Sequence, residues 1–167
     1  GITKLSIEHY LYYYSEIHGM NSFVTRYANV YGPRQNPHGE AGVVAIFCER
    51  MLRNEPLKIN GDGKQTRDYV FVDDVARANL LALNETKSGI ANIGTSVEVD
   101  VNEIFHLIND SLEAGREETH GPAMPGEQKT SCLDISATKK LLGWEPRVTV
   151  ADGIRQTALW FKERHEA

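Results

Sequence analysis

Helical stretches alternate with short extended runs along this chain, and most runs close on Gly, Pro or Asn. This alternation of a 3.6-residue and a 2-residue apolar period is the strongest constraint on the fold. It selects an α/β architecture, in which strands pair in parallel and helices cover them. The spacing predicts a first helix over 3–18, with Ile7, Leu11, Tyr14 and Ile17 on one face and Gly19 as its stop. A strand is expected over 22–30, closed by Tyr31-Gly32-Pro33, and then a loop over 34–42. A helix over 43–53, a strand over 57–60, a Gly61-Asp62-Gly63 turn and a strand over 69–72 follow. Asp73 is placed as the N-cap of a helix carrying Val75, Ala76, Leu80 and Leu83.

The second half continues the pattern. A strand is expected over 90–94. Asp100 and Glu103 form a capping box ahead of Val101, Ile104, Phe105, Ile108 and Leu112. Residues 113–130 are the least regular. A strand over 131–134, a helix over 136–142 ending at Gly143, and a last helix over 150–164 with Val150, Ile154, Ala158 and Phe161 on one face complete the reading.

Composition enters through what it excludes. The 167 residues carry 18 Lys and Arg against 23 Asp and Glu, a net charge of −5. That balance argues against a nucleic-acid partner held by charge, while leaving room for a local anion pocket. No apolar run approaches the ~20 residues of a bilayer span. The two cysteines, Cys48 and Cys132, give no disulfide framework, so a reducing, cytoplasmic setting is expected. No HExxH, CxxC, GxSxG or P-loop spacing occurs, and no metal site is expected. GxGxxG is also absent. Gly61-Asp62-Gly63 lies between strands and reads as a tight turn, so these residues alone build no dinucleotide pyrophosphate cradle.

Four stretches carry a further signal: GITKLSIEHYL at 1–11, TRYANVYGPRQ at 25–35, INGDGKQTRDYVFVDDVA at 59–76 and PGEQKTSCLDISATKKLLGWEPRV at 125–148. Together they resemble the C-terminal half of an extended short-chain dehydrogenase/reductase, and most of all the NAD-dependent nucleotide-sugar epimerases of the UDP-glucose 4-epimerase type. The resemblance covers essentially the whole chain. It implies a partial Rossmann-like α/β fold: the last strands of the parallel sheet plus a small α/β substrate-binding lobe. Residues 1–34 and 73–112 would belong to the sheet part, and 35–72 and 113–167 to the lobe. It also implies that the catalytic Tyr and Ser/Thr and the glycine-rich NAD loop lie upstream of Gly1. On that expectation the chain is a fragment, inactive alone, that binds no NAD by itself.

The resemblance assigns roles residue by residue. Lys4 is the remaining catalytic-centre residue, whose ammonium binds the nicotinamide ribose hydroxyls and lowers the pKa of the upstream tyrosine. Tyr27 touches the nicotinamide. Asn29 donates its amide to the diphosphate or sugar of a UDP-sugar, and Arg67 forks onto phosphate oxygens. Val43, Lys58 and Asn60 surround the uracil, and Glu127 binds the ribose. Met124 stands where the family carries an arginine, which removes one phosphate contact unless another basic residue such as Lys129 replaces it. Helix 3–18, with its run of tyrosines, would form a homodimer interface. Blander roles stay open at several positions: Lys4 as a solvated lysine, Tyr27 as core, Asn29 as a turn amide, and Arg67 paired with Asp68 or Asp74. Asp73 and Asp74 read as helix-capping and dipole residues. A related nucleotide-sugar dehydratase or decarboxylase, or a non-catalytic binding or assembly module, are the alternatives to an epimerase.

Overall fold

The computed structural model describes residues 1–38 and 42–166; part of the expected 34–42 loop, residues 39–41, lies outside them. Among the described residues, six helices are interspersed with eight short strands. Helix α1 (Ile2–His18) leads into β1 (Phe23–Tyr27) and β2 (Asn29–Tyr31). Then come α2 (Val43–Leu52), β3 (Ile59–Asn60), β4 (Thr66–Phe71) and α3 (Val72–Leu83). β5 (Gly89–Ile93), β6 (Glu98–Asp100) and α4 (Val101–Leu112) follow. β7 (His120–Gly121), β8 (Thr130–Ser131), α5 (Ser136–Leu142) and α6 (Val150–Glu166) end the chain.

The α/β expectation holds, and the pairings are mainly parallel. β1 runs parallel to β5, and β2 to β4. β8 also pairs in parallel with β4, whereas β6 pairs with it antiparallel. The single strand expected over 22–30 divides at Ala28, whose N–H donates to Ile93 O at 2.9 Å. There the chain leaves its β5 partner and takes up β4.

β4 is the central strand, and its two faces bury different things. Tyr69 and Phe71 join a large cluster with Phe47, Ile104, Phe105 and Ile154 beneath α2, α4 and α6. Val70 joins a smaller cluster with Val75, Ile93 and Trp144 beneath α3 and α5. This is the two-residue alternation of a strand buried on both sides. The apolar faces of α4 and α6 are buried as their spacing requires. α4, grouped with the sheet in the sequence reading, packs against α2 and α6.

Two expectations about α3 fail. α3 begins at Val72 with Phe71 in the N-cap position, so Asp73 is not the cap but an exposed first-turn residue. Leu80 and Leu83 point to solvent, and the buried face is Asp74, Val75, Ala78 and Ala82. The helix rotates because Asp74 is held. Its carboxylate, 3 % exposed, accepts from the Arg147 and Val148 N–H groups at 2.9 and 3.0 Å and from Arg77 at 2.6 Å. Trp144, fully buried, donates its indole N–H to the Asp74 carbonyl at 3.0 Å. α1 forms as its spacing predicts but buries none of its residues, and Ile7, Tyr14 and Ile17 are all exposed. A bidentate pair from Arg26 to Glu8, at 2.8 and 2.5 Å, ties α1 to β1. Among the described residues no helix is long and apolar enough to cross a membrane.

Two predictions follow from these contacts. Asp74→Ala strands three donors, two of them backbone N–H groups, and is expected to cost about 2–4 kcal/mol of unfolding free energy in urea. Asp73→Ala should stay within about 0.5 kcal/mol; equal effects would contradict the assignment. The second concerns β7, which is fastened to the β3 turn by His120. Its ring bonds Gly61 O at 2.8 Å and Glu118 at 2.6 Å, and Glu118 also pairs with His106 at 2.8 Å. The Glu118 hydrogen bond holds His120 above 6.5, and that bond holds Glu118 below 4.5. The histidine contribution is complete below 6.5 and lost as pH rises through the raised value. The glutamate contribution is complete above 4.5 and lost as pH falls through the lowered one. The melting-temperature gap between the unchanged chain and Glu118→Gln is therefore expected to be widest between these limits. A gap that grows above pH 8 would refute it.

Candidate substrate and cofactor sites

β4 sets the site through its alternation. Arg67 and Tyr69 face the same side, while Asp68 faces the other. Asp68, 1 % exposed, accepts from the Thr95 N–H and hydroxyl at 2.7 Å each, from Ser96 N–H at 3.2 Å and from Leu133 N–H at 3.3 Å. Four donors on one carboxylate hold β4 against the loop after β5 and the segment after β8. Asp68 and Asp74 are thus engaged elsewhere, and neither pairs with Arg67. The nearest acid to Arg67 is Glu127, at 3.8 Å.

Next to Arg67 opens a cavity of about 480 Å³. All six residues assigned to substrate, Asn29, Val43, Lys58, Asn60, Arg67 and Glu127, line it. They arrive from β2, α2, β3, β4 and the loop before β8. Asn29 lies opposite Tyr69 in the β2–β4 register, and both line the cavity with the arginine. The Arg67 Nη1 donates to Thr66 O at 2.7 Å, leaving the rest of the fork toward the cavity. Three cations, Arg50, Lys58 and Arg67, face one carboxylate, Glu127. The walls therefore carry a net positive charge in a chain of net −5.

Arg50, Gln65 and Tyr69 also line the cavity, and the sequence reading missed them. Tyr69 sits two residues from Arg67 on one strand, a signal that period-two alternation supplies. Arg50 lies seven residues after Val43, two helical turns along the same face of α2. Burial pushes the Tyr69 phenol up to about 12, with Arg67 partly opposing, so it meets a ligand as a neutral hydroxyl. Met124 and Lys129 line an adjoining cavity of about 590 Å³ that shares Asn60, Gln65 and Glu127 with the first.

Lys4 and Tyr27 lie apart from these residues. Both line a groove of about 760 Å³ between α1 and β1, together with the Arg26–Glu8 pair. The Tyr27 hydroxyl donates to Asn79 Oδ1 at 2.7 Å and accepts from Thr25 at 3.0 Å, so its ring is fixed from below. Lys4 is exposed in this groove.

Comparison with known proteins matches this architecture. The family described as "NAD dependent epimerase/dehydratase family" matches residues 1–94. The chain is 42 % identical over 164 residues to the UDP-glucose 4-epimerase of Mycolicibacterium smegmatis, which covers 98 % of this chain and 52 % of that protein. Its structure superposes on the UDP-glucose 4-epimerase of Thermotoga maritima, solved with UDP-glucose, with a TM-score of 0.94 and 47 % identity, over 98 % of this chain and 53 % of that one. The UDP-glucose 4-epimerase of Thermus thermophilus, solved with NAD, gives a TM-score of 0.83 and 40 % identity over 94 % and 51 % of the two chains. The chain spans about half the length of the relatives it matches. Its fold is the Rossmann-like α/β fold of those epimerases, and the chain belongs to the NAD dependent epimerase/dehydratase family.

Proposed function

We propose that this chain is the nucleotide-sugar-binding part of an NAD-dependent UDP-hexose 4-epimerase, which interconverts UDP-glucose and UDP-galactose through a 4-keto sugar. The observation that carries this reading is the meeting of Asn29, Val43, Lys58, Asn60, Arg67 and Glu127 around one net-positive cavity. A nucleoside diphosphate is anionic in its middle and hydrogen-bonding at both ends, and these walls suit it.

Epimerisation at C4 needs the diphosphate held while the sugar presents first one face and then the other. Arg67 and Asn29 supply that hold, because a planar fork on phosphate oxygens keeps position but leaves the sugar free to turn. Glu127, within reach of Arg67, accepts from the ribose hydroxyls. NAD, when bound, would supply the hydride acceptor and donor that inversion at C4 requires. The groove fits NAD at one end only: Lys4 would hold the nicotinamide ribose hydroxyls and the anchored Tyr27 ring would pack on the nicotinamide. No glycine-rich strand-to-helix turn occurs in these residues to hold its pyrophosphate. The reading therefore has the 167 residues bind UDP-sugar without turnover or NAD of their own. It gives the chain a cytoplasmic place, with neither nucleic acid nor membrane as partner.

Calorimetry with UDP tests the binding claim. The chain is expected to bind, and Arg67→Ala to weaken binding about ten- to a hundredfold, the worth of a charged hydrogen-bonded contact. Absence of heat at millimolar UDP would overturn the reading. The same reading makes α1 a homodimer interface. Ile2, Tyr10, Tyr12 and Ile17 are each more than 60 % exposed, and aromatic faces of this kind suit subunit contacts. Sedimentation is expected to show dimers that Tyr10→Glu with Tyr13→Glu converts to monomers. A monomer at high concentration would contradict it.

A further inference from the structure

Resting on the nucleotide-binding reading, we propose that Arg50 reads the base, and that it selects a pyrimidine carrying an oxygen at position 4 over one carrying an amino group there. The cavity has two chemically distinct ends, laid out by α2. Gly42, at the N-terminal end of that helix, lies against Gln35, where an added Cβ would come within 2.9 Å of Nε2. Gln35 Nε2 in turn donates to Val30 O at 3.1 Å. Gly42, Asn29 and Arg67 all line the cavity, which places the start of α2 along the same wall. An amide and a guanidinium, from Asn29 and Arg67, mark this end, which suits the diphosphate.

The opposite end is about 10 Å further along the helix, seven residues at the usual rise. Here Arg50 stands in the last turn of α2, with a long contact to Pro56 O at 3.4 Å. That carbonyl is two residues before Lys58, the other cation of this end. A ligand anchored by its phosphates at Asn29 and Arg67 extends its base toward Arg50. Both charged side chains there have hydrogen to donate and nothing with which to accept. Uracil offers its O4 as an acceptor to them. Cytosine offers an amino group, which leaves donor facing donor and a desolvated N–H unpaired. Arg50 is exposed and has only the long contact to Pro56, so its side chain is free to turn toward a base.

The test uses the 167-residue chain with UDP, CDP and inorganic pyrophosphate in calorimetry. The unchanged chain is expected to favour UDP over CDP by about tenfold or more. Arg50→Gln, whose amide presents an oxygen as well as an NH₂, is expected to bring the two nucleotides within about twofold of each other. Pyrophosphate affinity should stay within about twofold, which also reports that the variant is folded. A UDP-to-CDP ratio unchanged in Arg50→Gln overturns the base-reading role and leaves nucleotide binding standing. An equal loss for UDP, CDP and pyrophosphate also overturns it, since Arg50 would then act on the phosphates. No UDP binding by the unchanged chain overturns this inference together with the reading beneath it.

Discussion

The carboxylate of Asp68 is the point on which the arrangement depends. It is buried, and it satisfies backbone N–H groups from Thr95, Ser96 and Leu133 while resting under Gly94, where any side chain would collide with it. Those donors belong to segments that are distant in sequence and that no apolar contact would orient so sharply. A buried anion costs several kcal/mol unless its lone pairs are filled, so the surrounding loops have one geometry that works. β4 is fixed by this, and with it the direction in which the alternate residues Arg67 and Tyr69 point.

Asp74 does the same at the other end of the motif. It gathers α3, Trp144 and the segment leading to α6, so the stretch from Arg67 to Asp74 is built as two buried acids around a strand. The division of labour is physical. The acids can be satisfied inside by backbone N–H groups, whereas the arginine, with its donors in excess, is turned to a cavity with positive walls. The positive walls arise from side chains of α2, β4 and the residue just before β3, which converge only in the folded chain.

Much of this was legible in the residues. α4, α5 and α6 follow their periodicity, and Asp100 caps α4 through Glu103 N–H at 2.8 Å as its spacing requires. That the six residues expected at a substrate share one cavity could be anticipated only through resemblance, because Lys58 or Asn60 alone looks like any polar residue near a turn. β6 and β7 were not legible. They are three and two residues long and exist because partners lie beside them, which periodicity cannot report. Asp73 and Asp74 are adjacent and alike in sequence, and only the position of Arg147 and Val148 decides which is buried. The exposed face of α1 has the apolar spacing of a buried helix, and spacing carries no information about which surface covers it.

The central claim is that one cavity between α2, β3 and β4 takes the nucleotide. The most direct measurement is a ¹H–¹⁵N spectrum of the chain titrated with UDP. The account predicts saturable shifts at Asn29, Val43, Lys58, Asn60 and Arg67, with the groove around Lys4 and Tyr27 silent. Shifts confined to that groove, or none at millimolar UDP, would contradict it.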